Sequence, residues 1–141
     1  LVNQNIQRYK EVINFNTFDV KAASYRSGMV AVVTHKDDEI PVESLSNGEK
    51  ARLSLLLLSA LLESMSQVTN SESNFLVIDE ATSSFDASGI KELSALFRHL
   101  KILNQSVFII THGDELQDVE FDGSLTITKT DMSATAEFKK E

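Results

Sequence analysis

The chain has 141 residues, an ordinary length for one domain and enough to bury a sizeable core. Its 13 Lys and Arg against 21 Asp and Glu give a net charge of −8, so no global basic field attracts nucleic acid or an anionic membrane. The absence of cysteine excludes a disulfide scaffold, a thiolate zinc site and a cysteine nucleophile, and favours an intracellular origin. The longest apolar run, Leu55 to Leu62, is shorter than the roughly 18 residues of a membrane span, which predicts no transmembrane helix. The first residues resemble neither a signal peptide nor a natural start, so we expect a fragment of a longer protein.

The first forty residues predict a helix followed by a hairpin. Apolar residues recur at helical spacing over 1–15, which is typical of a helix arriving from upstream. Residues 18–22 alternate between apolar and polar, and 29–33 are apolar and rich in Val, with Gly28 as turn chemistry between them. This pattern predicts an antiparallel hairpin, followed by a charged loop over 36–39.

A long helix is predicted from Asn47 to Met65. Ser46 and Glu49 stand three residues apart in the capping-box pattern, in which each side chain satisfies an orphan backbone N–H of the helix start. The run from Leu55 to Leu62 is apolar on every face, so we expect this helix to be buried centrally. A polar loop over 67–74 should follow it.

The second half predicts a parallel strand pair and a terminal hairpin. Phe75–Ile78 and Val107–Ile110 are short apolar runs typical of buried interior strands, and an amphipathic helix over 90–100 lies between them. Strand, helix and strand together indicate a right-handed parallel crossover. Alternating apolar residues on both sides of Thr130-Asp131 predict a final antiparallel hairpin, so the fold class is α/β with a parallel-sheet core and flanking antiparallel strands.

Phosphate chemistry is suggested first by the start of the long helix. The N–H groups and positive dipole end of a helix N-terminus, together with the Ser46 hydroxyl and the Gly48 backbone, suit an anion. On its own, this feature is more simply explained as a well-capped helix. A second signal is the apolar strand that ends in Asp79 and Glu80. Ligands of open α/β sheets bind beyond the carboxyl ends of strands.

At that edge Asp79 is a candidate magnesium ligand and Glu80 a candidate base for an attacking water. The alternative interpretation is that Asp79 and Glu80 are solvent-exposed carboxylates at the end of a strand, without a role in catalysis. His112, after the second apolar run, is placed to donate to a phosphate oxygen, and its alternative is a structural histidine.

Taken in this order, the motifs resemble those of ABC-type ATPases. Leu45-Ser46-Asn47-Gly48-Glu49 is similar to the signature motif, Phe75–Glu80 to the Walker B strand with its catalytic Glu, Ser84-Phe85-Asp86 to the D-loop, and Thr111-His112 to the switch histidine. No Gly-x-x-x-x-Gly-Lys-Ser/Thr sequence is present, so nothing in the chain cradles the α and β phosphates. The resemblance therefore implies half of an ATPase head.

Among these ATPases the chain resembles best the ATPase subunits of SbcC-type DNA double-strand-break repair exonucleases. Residues 111–116, Thr-His-Gly-Asp-Glu-Leu, are similar to that branch's His-x-x-Glu-Leu ending. The resemblance implies that 1–15 is the end of a coiled coil and that 16–141 is the C-terminal half of the head. Three positions depart from the family pattern, namely Asn47 for Gly, Ala81 for Pro and Phe85 for Leu. Asn tolerates the left-handed backbone that a Gly would supply.

The resemblance also implies a mechanism, in which two heads sandwich two ATP molecules. Asp79 would hold Mg²⁺, Glu80 would activate water and His112 would contact the γ-phosphate in cis. The residues Ser46, Asn47, Gly48 and Glu49 would face the nucleotide of the second head, and Asp86 would couple the two sites. The implied cofactors are ATP and Mg²⁺. The implied partners are the chain's own N-terminal P-loop half, a second identical head, a nuclease subunit and double-stranded DNA, without a membrane and in the cytoplasm or on the nucleoid.

Two other function classes stay open. The chain is also compatible with an SMC- or RecF-like DNA clamp head that closes on DNA without a nuclease. A transporter nucleotide-binding domain is disfavoured by the extended segments that precede the signature. In each case the isolated chain should not hydrolyse ATP. His35, His99, Lys50 and Arg52 are expected to be solvated, although Lys50 and Arg52 have acidic pairing or nucleotide sensing as alternatives.

Overall fold

The computed structural model is a mixed α/β arrangement. It describes residues 1–26, 28–69, 75–79, 85, 87–102, 106–112, 116 and 119–140. In chain order the elements are α1 (Val2–Val12), β1 (Asp19–Tyr25), β2 (Gly28–His35), β3 (Asp38–Glu39), a 3-10 turn (Val42–Ser44), α2 (Asn47–Thr69), β4 (Phe75–Asp79), α3 (Ala87–Ile102), β5 (Ser106–Ile110), β6 (Gly123–Lys129) and β7 (Ala134–Lys140). The strands form the pairs predicted from sequence, and the α/β fold class is confirmed.

The core lies where the three helices meet. On α1, Ile6, Tyr9 and Ile13 repeat every three to four residues and are fully buried, which is the inward stripe of an amphipathic helix. They join a single cluster with apolar residues of the other two helices, including Leu53, Leu56, Ala60, Leu93, Leu96 and Leu100. The helix that the sequence predicts at 1–15 is therefore an integral part of the core.

The first sheet is antiparallel in the order β1-β2-β3. Val20 pairs with Val33, and both are buried beneath α1, as the predicted alternation requires. The predicted charged loop at 36–39 is wrong in part, because Asp38–Glu39 forms a short third strand. Lys36 and Asp37 make the two-residue turn, with φ angles of 50° and 71°. Two consecutive positive φ values are those of a type I′ turn, whose twist matches the flanking strands.

The long helix α2 differs from its prediction at both its end and its surroundings. It continues to Thr69, so the polar loop expected over 67–74 is wrong for 67–69, and 70–74 lie outside the described residues. It is not buried on every side, since Met65 is 62% and Val68 72% exposed. By length and composition alone α2 could cross a membrane, because the mean hydropathy of its most apolar window is 1.2. The length of the apolar run Leu55 to Leu62 had predicted no such helix. However, α2 packs against α1 and carries Glu63, which is buried and ion-paired. Both features are typical of a core helix.

The strands β4 and β5 are parallel and lie on either side of α3 in the chain, as predicted. They are not buried on both faces. Ile78 is 5% exposed, whereas its neighbour Val77 is 49% exposed and Phe108, opposite Val77, is 58% exposed. The apolar runs are therefore covered on one face only within the described part of the chain, which the apolar pattern could not reveal.

The terminal hairpin of β6 and β7 is confirmed, with Leu125 opposite Phe138. Its strands are joined by a short turn in which the Thr130 N–H donates to the Ser133 carbonyl at 2.8 Å. Almost every residue of both strands is exposed, including the apolar Ile127. The hairpin thus keeps its register through its own ladder and turn rather than through burial.

Candidate functional site

The signature-like segment starts α2 with the predicted capping box. The Ser46 hydroxyl donates to Glu49 Oε2 at 2.7 Å, and the Ser46 backbone N–H donates to the same oxygen at 2.8 Å. In return, the Glu49 N–H donates to Ser46 Oγ at 3.3 Å. The hydrogen bond from the Ser46 side chain, followed by that from its backbone, lowers the pKa of Glu49. The carboxylate is thus held charged over the first turn of the helix.

This geometry bears directly on anion binding. Ser46 and Asn47 are exposed and Gly48 is half-buried, so another molecule can reach the helix N-terminus. The Glu49 carboxylate already accepts both donors of Ser46, and its charge opposes a second anion at the same place. A phosphate that uses the Ser46 donors must displace Glu49 from them.

The tolerance of Asn for a left-handed backbone is not used at Asn47. Asn47 is the first residue of α2 and does not belong to the residues with positive φ. A helix start needs only helical dihedral angles, which Asn adopts as other residues do. Its exposed side chain stands on the first turn, beside Ser46 and Gly48.

The parallel pair brings two candidate residues to one edge of the sheet. Asp79 ends β4 and pairs with Ile110, the last residue of β5, so His112 follows two residues beyond the same edge. Both Asp79 and His112 are exposed. Glu80 and Asp86, the candidate base and the coupling residue, lie outside the described residues.

The donor chemistry at this edge fits Mg²⁺. Asp79 is an exposed carboxylate at the carboxyl end of a strand, and Mg²⁺ is commonly held by one or two carboxylates while it keeps several waters. Within the described ranges no three His, Asp or Glu residues are grouped as a dedicated metal cage. A single exposed carboxylate such as Asp79 is compatible with an ion that keeps most of its waters.

Arg52 forms an ion pair whose partner could not be chosen from the sequence. Its Nε donates to Glu92 Oε2 of α3 at 2.8 Å, and its guanidinium lies 5.8 Å from the centre of the Phe85 ring. The expected solvated face is wrong for Arg52, and the alternative of acidic pairing holds. Gly89 makes room, since a Cβ there would lie 2.6 Å from Phe85 Cδ1. Phe85, the departure from the family's Leu, thus packs against the signature helix.

The two other histidines are not simply solvated, as the sequence had suggested. His35 Nδ1 is 3.0 Å from the Thr17 carbonyl oxygen. The His99 ring meets Tyr9 edge to face, with 5.3 Å between ring centres, and its Nε2 is buried. Both rings serve packing, and neither β2, which carries His35, nor α3, which carries His99, contains a candidate site residue.

Comparison with known proteins begins with sequence. No protein-family model matches the chain. It is 31% identical over 90 residues to the DNA double-strand break repair Rad50 ATPase of Saccharolobus solfataricus, which is 64% of this chain and 10% of that protein. It is 37% identical over 78 residues to exonuclease subunit 2 of Enterobacteria phage T4, which is 55% of this chain and 14% of that protein. The resemblance to SbcC-type ATPases is confirmed. This SbcC-like chain spans about a tenth of the length of the relatives that it matches.

Solved structures show the same fold. The SMC head domain from Thermotoga maritima matches 99% of the SbcC-like chain with a TM-score of 0.67 at 20% identity, over 48% of its own length. An Smc head domain with an extended coiled coil, from Pyrococcus furiosus and bound to the C-terminal domain of ScpA, matches 99% with a TM-score of 0.75 at 15% identity, over 34% of its length. The predicted ATPase-head architecture is therefore confirmed at the level of the fold.

A third relative has a different name. The SbcC-like chain is 34% identical over 104 residues to the uncharacterized ABC transporter ATP-binding protein YfmM of Bacillus subtilis, which is 74% of this chain and 17% of that protein. The relatives thus have in common that they are ABC-type ATPases.

Proposed function

We propose that this chain is the C-terminal half of the ATP-binding head of a DNA-repair ATPase, with 1–15 as the end of a coiled coil and 16–141 as the half-head. The observation that carries the proposal is the parallel register of β4 and β5, which places Asp79 and His112 at one edge of the sheet. The Rad50 and exonuclease relatives support the choice among ABC-type ATPases.

In the proposed reaction, this sheet edge works on ATP that is bound by the P-loop of the N-terminal half. Asp79 holds Mg²⁺, whose charge stabilises the negative charge that develops on the transferred phosphoryl group. Glu80 orients the attacking water and accepts its proton. His112 donates a hydrogen bond to a γ-phosphate oxygen.

The signature segment acts on the nucleotide of a second head. Ser46 and the first-turn N–H groups bind the γ-phosphate of the partner head once Glu49 turns away from the serine. Exchanging an internal carboxylate for an external phosphate makes this contact conditional on ATP. Asn47 and Gly48 complete the contact, and Asp86 couples the two sites of the homodimer.

The uncovered side of β4 and β5 supports the N-terminal half as a partner. Phe75 and Val77 alternate with covered residues along β4, and Phe108 and Ile110 do the same along β5. These four exposed apolar side chains share one face of the pair, because residues two apart in a strand point to the same side. An apolar face of this kind is typical of a surface that another segment covers.

A nuclease subunit and double-stranded DNA are the further proposed partners, on the basis of the exonuclease-subunit and repair-ATPase relatives. The net charge of −8 requires any DNA contact of this half to be local. The proposed location is the cytoplasm or the nucleoid, where such DNA is found.

A DNA clamp head that works without a nuclease is the second candidate. Its support is the fold of SMC heads, two of which carry bound ScpA. A transporter role is supported only by the name of YfmM. Adding a purified nuclease subunit to the assembled protein distinguishes the first two classes, because only the proposed function makes nuclease activity on DNA ends depend on ATP.

The test of the ATPase role uses this chain with and without its P-loop half. We expect phosphate release only from the assembled protein. Glu80→Gln should leave ATP binding intact, slow hydrolysis at least 100-fold, on the order expected for a lost general base, and let closed dimers accumulate. Glu137→Gln, on the exposed strand β7, is the matched control and should hydrolyse ATP normally. Turnover by the isolated chain, or normal turnover by Glu80→Gln, contradicts the proposal.

A further inference from the structure

A row of polar side chains crosses the otherwise apolar contact between α1 and α2. We call Asn5, Arg8, Tyr9, Glu63 and Ser64 the polar seam. Asn5 and Ser64 are buried, and Asn5 Nδ2 donates to Ser64 Oγ at 2.8 Å. Arg8 forms an ion pair with Glu63, whose side chain is only 6% exposed, while Arg8 itself remains 43% exposed. Arg8 also donates to Asn5 Oδ1 at 3.1 Å, so the seam is continuous.

Tyr9 joins the seam to the third helix. Its side chain is fully buried, and burial, followed by the neighbouring Glu63 carboxylate, raises the pKa of Tyr9. The other side of the Tyr9 ring faces the edge of His99 on α3. The helix α1 is therefore held in the angle between α2 and α3.

The apolar contacts alone do not fix where α1 sits along α2. Ile6, Tyr9 and Ile13 present an apolar side chain at every turn, so a slip by one turn, about 5.4 Å, exchanges one apolar contact for another. After such a slip Glu63 would face Gln4 or Val12 instead of Arg8. A buried carboxylate without its partner is strongly unfavourable, whereas a mismatched apolar contact is not. Among the described contacts between α1 and α2, the polar seam is what discriminates between the two registers, while Asn3, Gln7 and Lys10 bond α1 to β1.

The seam lies far from the signature segment but on the same helix. Asn5 meets the end of α2 at Ser64, while Ile13, at the other end of α1, lies beside Leu55 near the beginning of α2. The two helices are therefore antiparallel. Glu63 is 17 residues beyond Ser46, a distance of about 25 Å along a continuous helix.

We propose that the polar seam fixes the axial register of α1 on α2, so that α1 and the signature segment move as one body. Arg8 and Glu63 are then positioning residues for the contact that Ser46 makes with the partner head. The register itself is independent of the proposed function, and only its consequence for the Ser46 contact rests on it.

The register can be measured by distance between spin labels in the full-length protein, with this chain joined to its P-loop half. These 141 residues contain no cysteine, so once any cysteines of the P-loop half are replaced by serine, Glu11→Cys on α1 and Val68→Cys on α2 supply the two label sites, both exposed and outside the seam. With the seam intact we expect one distance. Arg8→Met with Glu63→Leu, which keeps the interface filled, should add a population displaced by about 5 Å, one helical turn.

Three further variants complete the experiment. Arg8→Lys keeps the charge and should keep the single distance. Lys101 lies on α3, away from the seam, and forms an exposed ion pair with Asp122. Lys101→Met removes this pair and should also leave the distance unchanged. Asn5→Leu with Ser64→Ala cuts the seam at its other end and serves if the first pair of substitutions prevents folding.

The outcomes separate the register from the proposed function. A single, undisplaced distance in both seam variants overturns the proposal. ATP-dependent dimerisation measured on the same samples should fall at least tenfold when the second population appears, and an unchanged dimerisation overturns the link to Ser46. Failure of the protein with an intact seam to bind ATP or dimerise counts against the proposed function and leaves the distance result standing.

Discussion

The helical side of the molecule buries polar side chains, whereas the parallel strand pair leaves apolar side chains exposed. Around α1 even strongly polar groups are buried and paired, as Glu63 is with Arg8. On the outer face of β4 and β5, by contrast, Val77 and Phe108 remain open to solvent. The difference teaches that the helical contacts are completed within this chain, whereas the strand faces are built for a segment beyond the described residues.

Breaking the helical side should have the largest effect. Arg8→Met leaves the buried Glu63 carboxylate without its partner, and we expect the free energy of unfolding to fall by about 3 kcal/mol, the low end for buried pairs because Arg8 is partly in water. Denaturant unfolding of the assembled protein measures the loss. Arg8→Met with Glu63→Leu should recover most of it. Equal losses in the single and double variants would contradict the pairing.

Breaking the open side should affect association rather than folding. Phe108→Ser should leave the unfolding of this half nearly unchanged, because the ring is already exposed, but weaken its association with the P-loop half by about 2 kcal/mol, or about 30-fold. Titration of one half with the other measures this. Ile78→Thr is the matched control on the covered face and should destabilise the half itself. Undiminished association of Phe108→Ser would mean that this face is not the contact.

A smaller change is expected at the start of α2, which is exposed but internally bonded. Ser46→Ala should lower the free energy of unfolding by about 1 kcal/mol, the usual effect of losing an N-cap. Ser46→Arg should cost a similar amount and, in addition, block ATP-dependent dimerisation by filling the space for the partner's phosphate. A thermal melt beside a dimerisation assay separates the two effects. If dimerisation of Ser46→Ala and Ser46→Arg falls only in proportion to the folded fraction, Ser46 acts as a helix cap and not as a contact to the partner head.

The smallest effect concerns pH. The bonds from Ser46 lower the pKa of Glu49 from its usual value of 4.5 in the folded state. A depressed folded pKa contributes stability above the unfolded value, and this contribution is lost as the pH falls through the folded pKa. Near neutral pH the Glu49 contribution should thus be fully present and independent of pH, and the free energy of unfolding should decline slightly below pH 4.5. NMR titration of Glu49 should follow it, and Ser46→Ala should return the pKa towards 4.5.

The sequence predicted best what is decided locally. The Ser46–Glu49 capping box joins residues three positions apart, and each hairpin follows from alternation and a short turn. The parallel pairing that unites Asp79 with His112 was also accessible, because two apolar runs with a helix between them have few alternative arrangements.

Contacts between distant residues were not accessible. Arg52 meets Glu92 forty positions along the chain, and Asn5 meets Ser64 at a separation of 59. From the sequence, many other charged and polar residues could have paired with each of these side chains. The packing of the helices determines which pairs form. The open faces escaped prediction for the same reason, since an apolar strand looks the same whether or not the covering segment belongs to the chain.

The exposed strand faces also have a consequence for the life of the protein in a cell. The edges of two-stranded sheets with apolar outer faces invite pairing with other chains and aggregation. In the proposed head the N-terminal half belongs to the same polypeptide, so these faces are open only until that half has folded against them. Chaperones and proteases that recognise open apolar surface would therefore act on copies of the protein in which the two halves have not yet met.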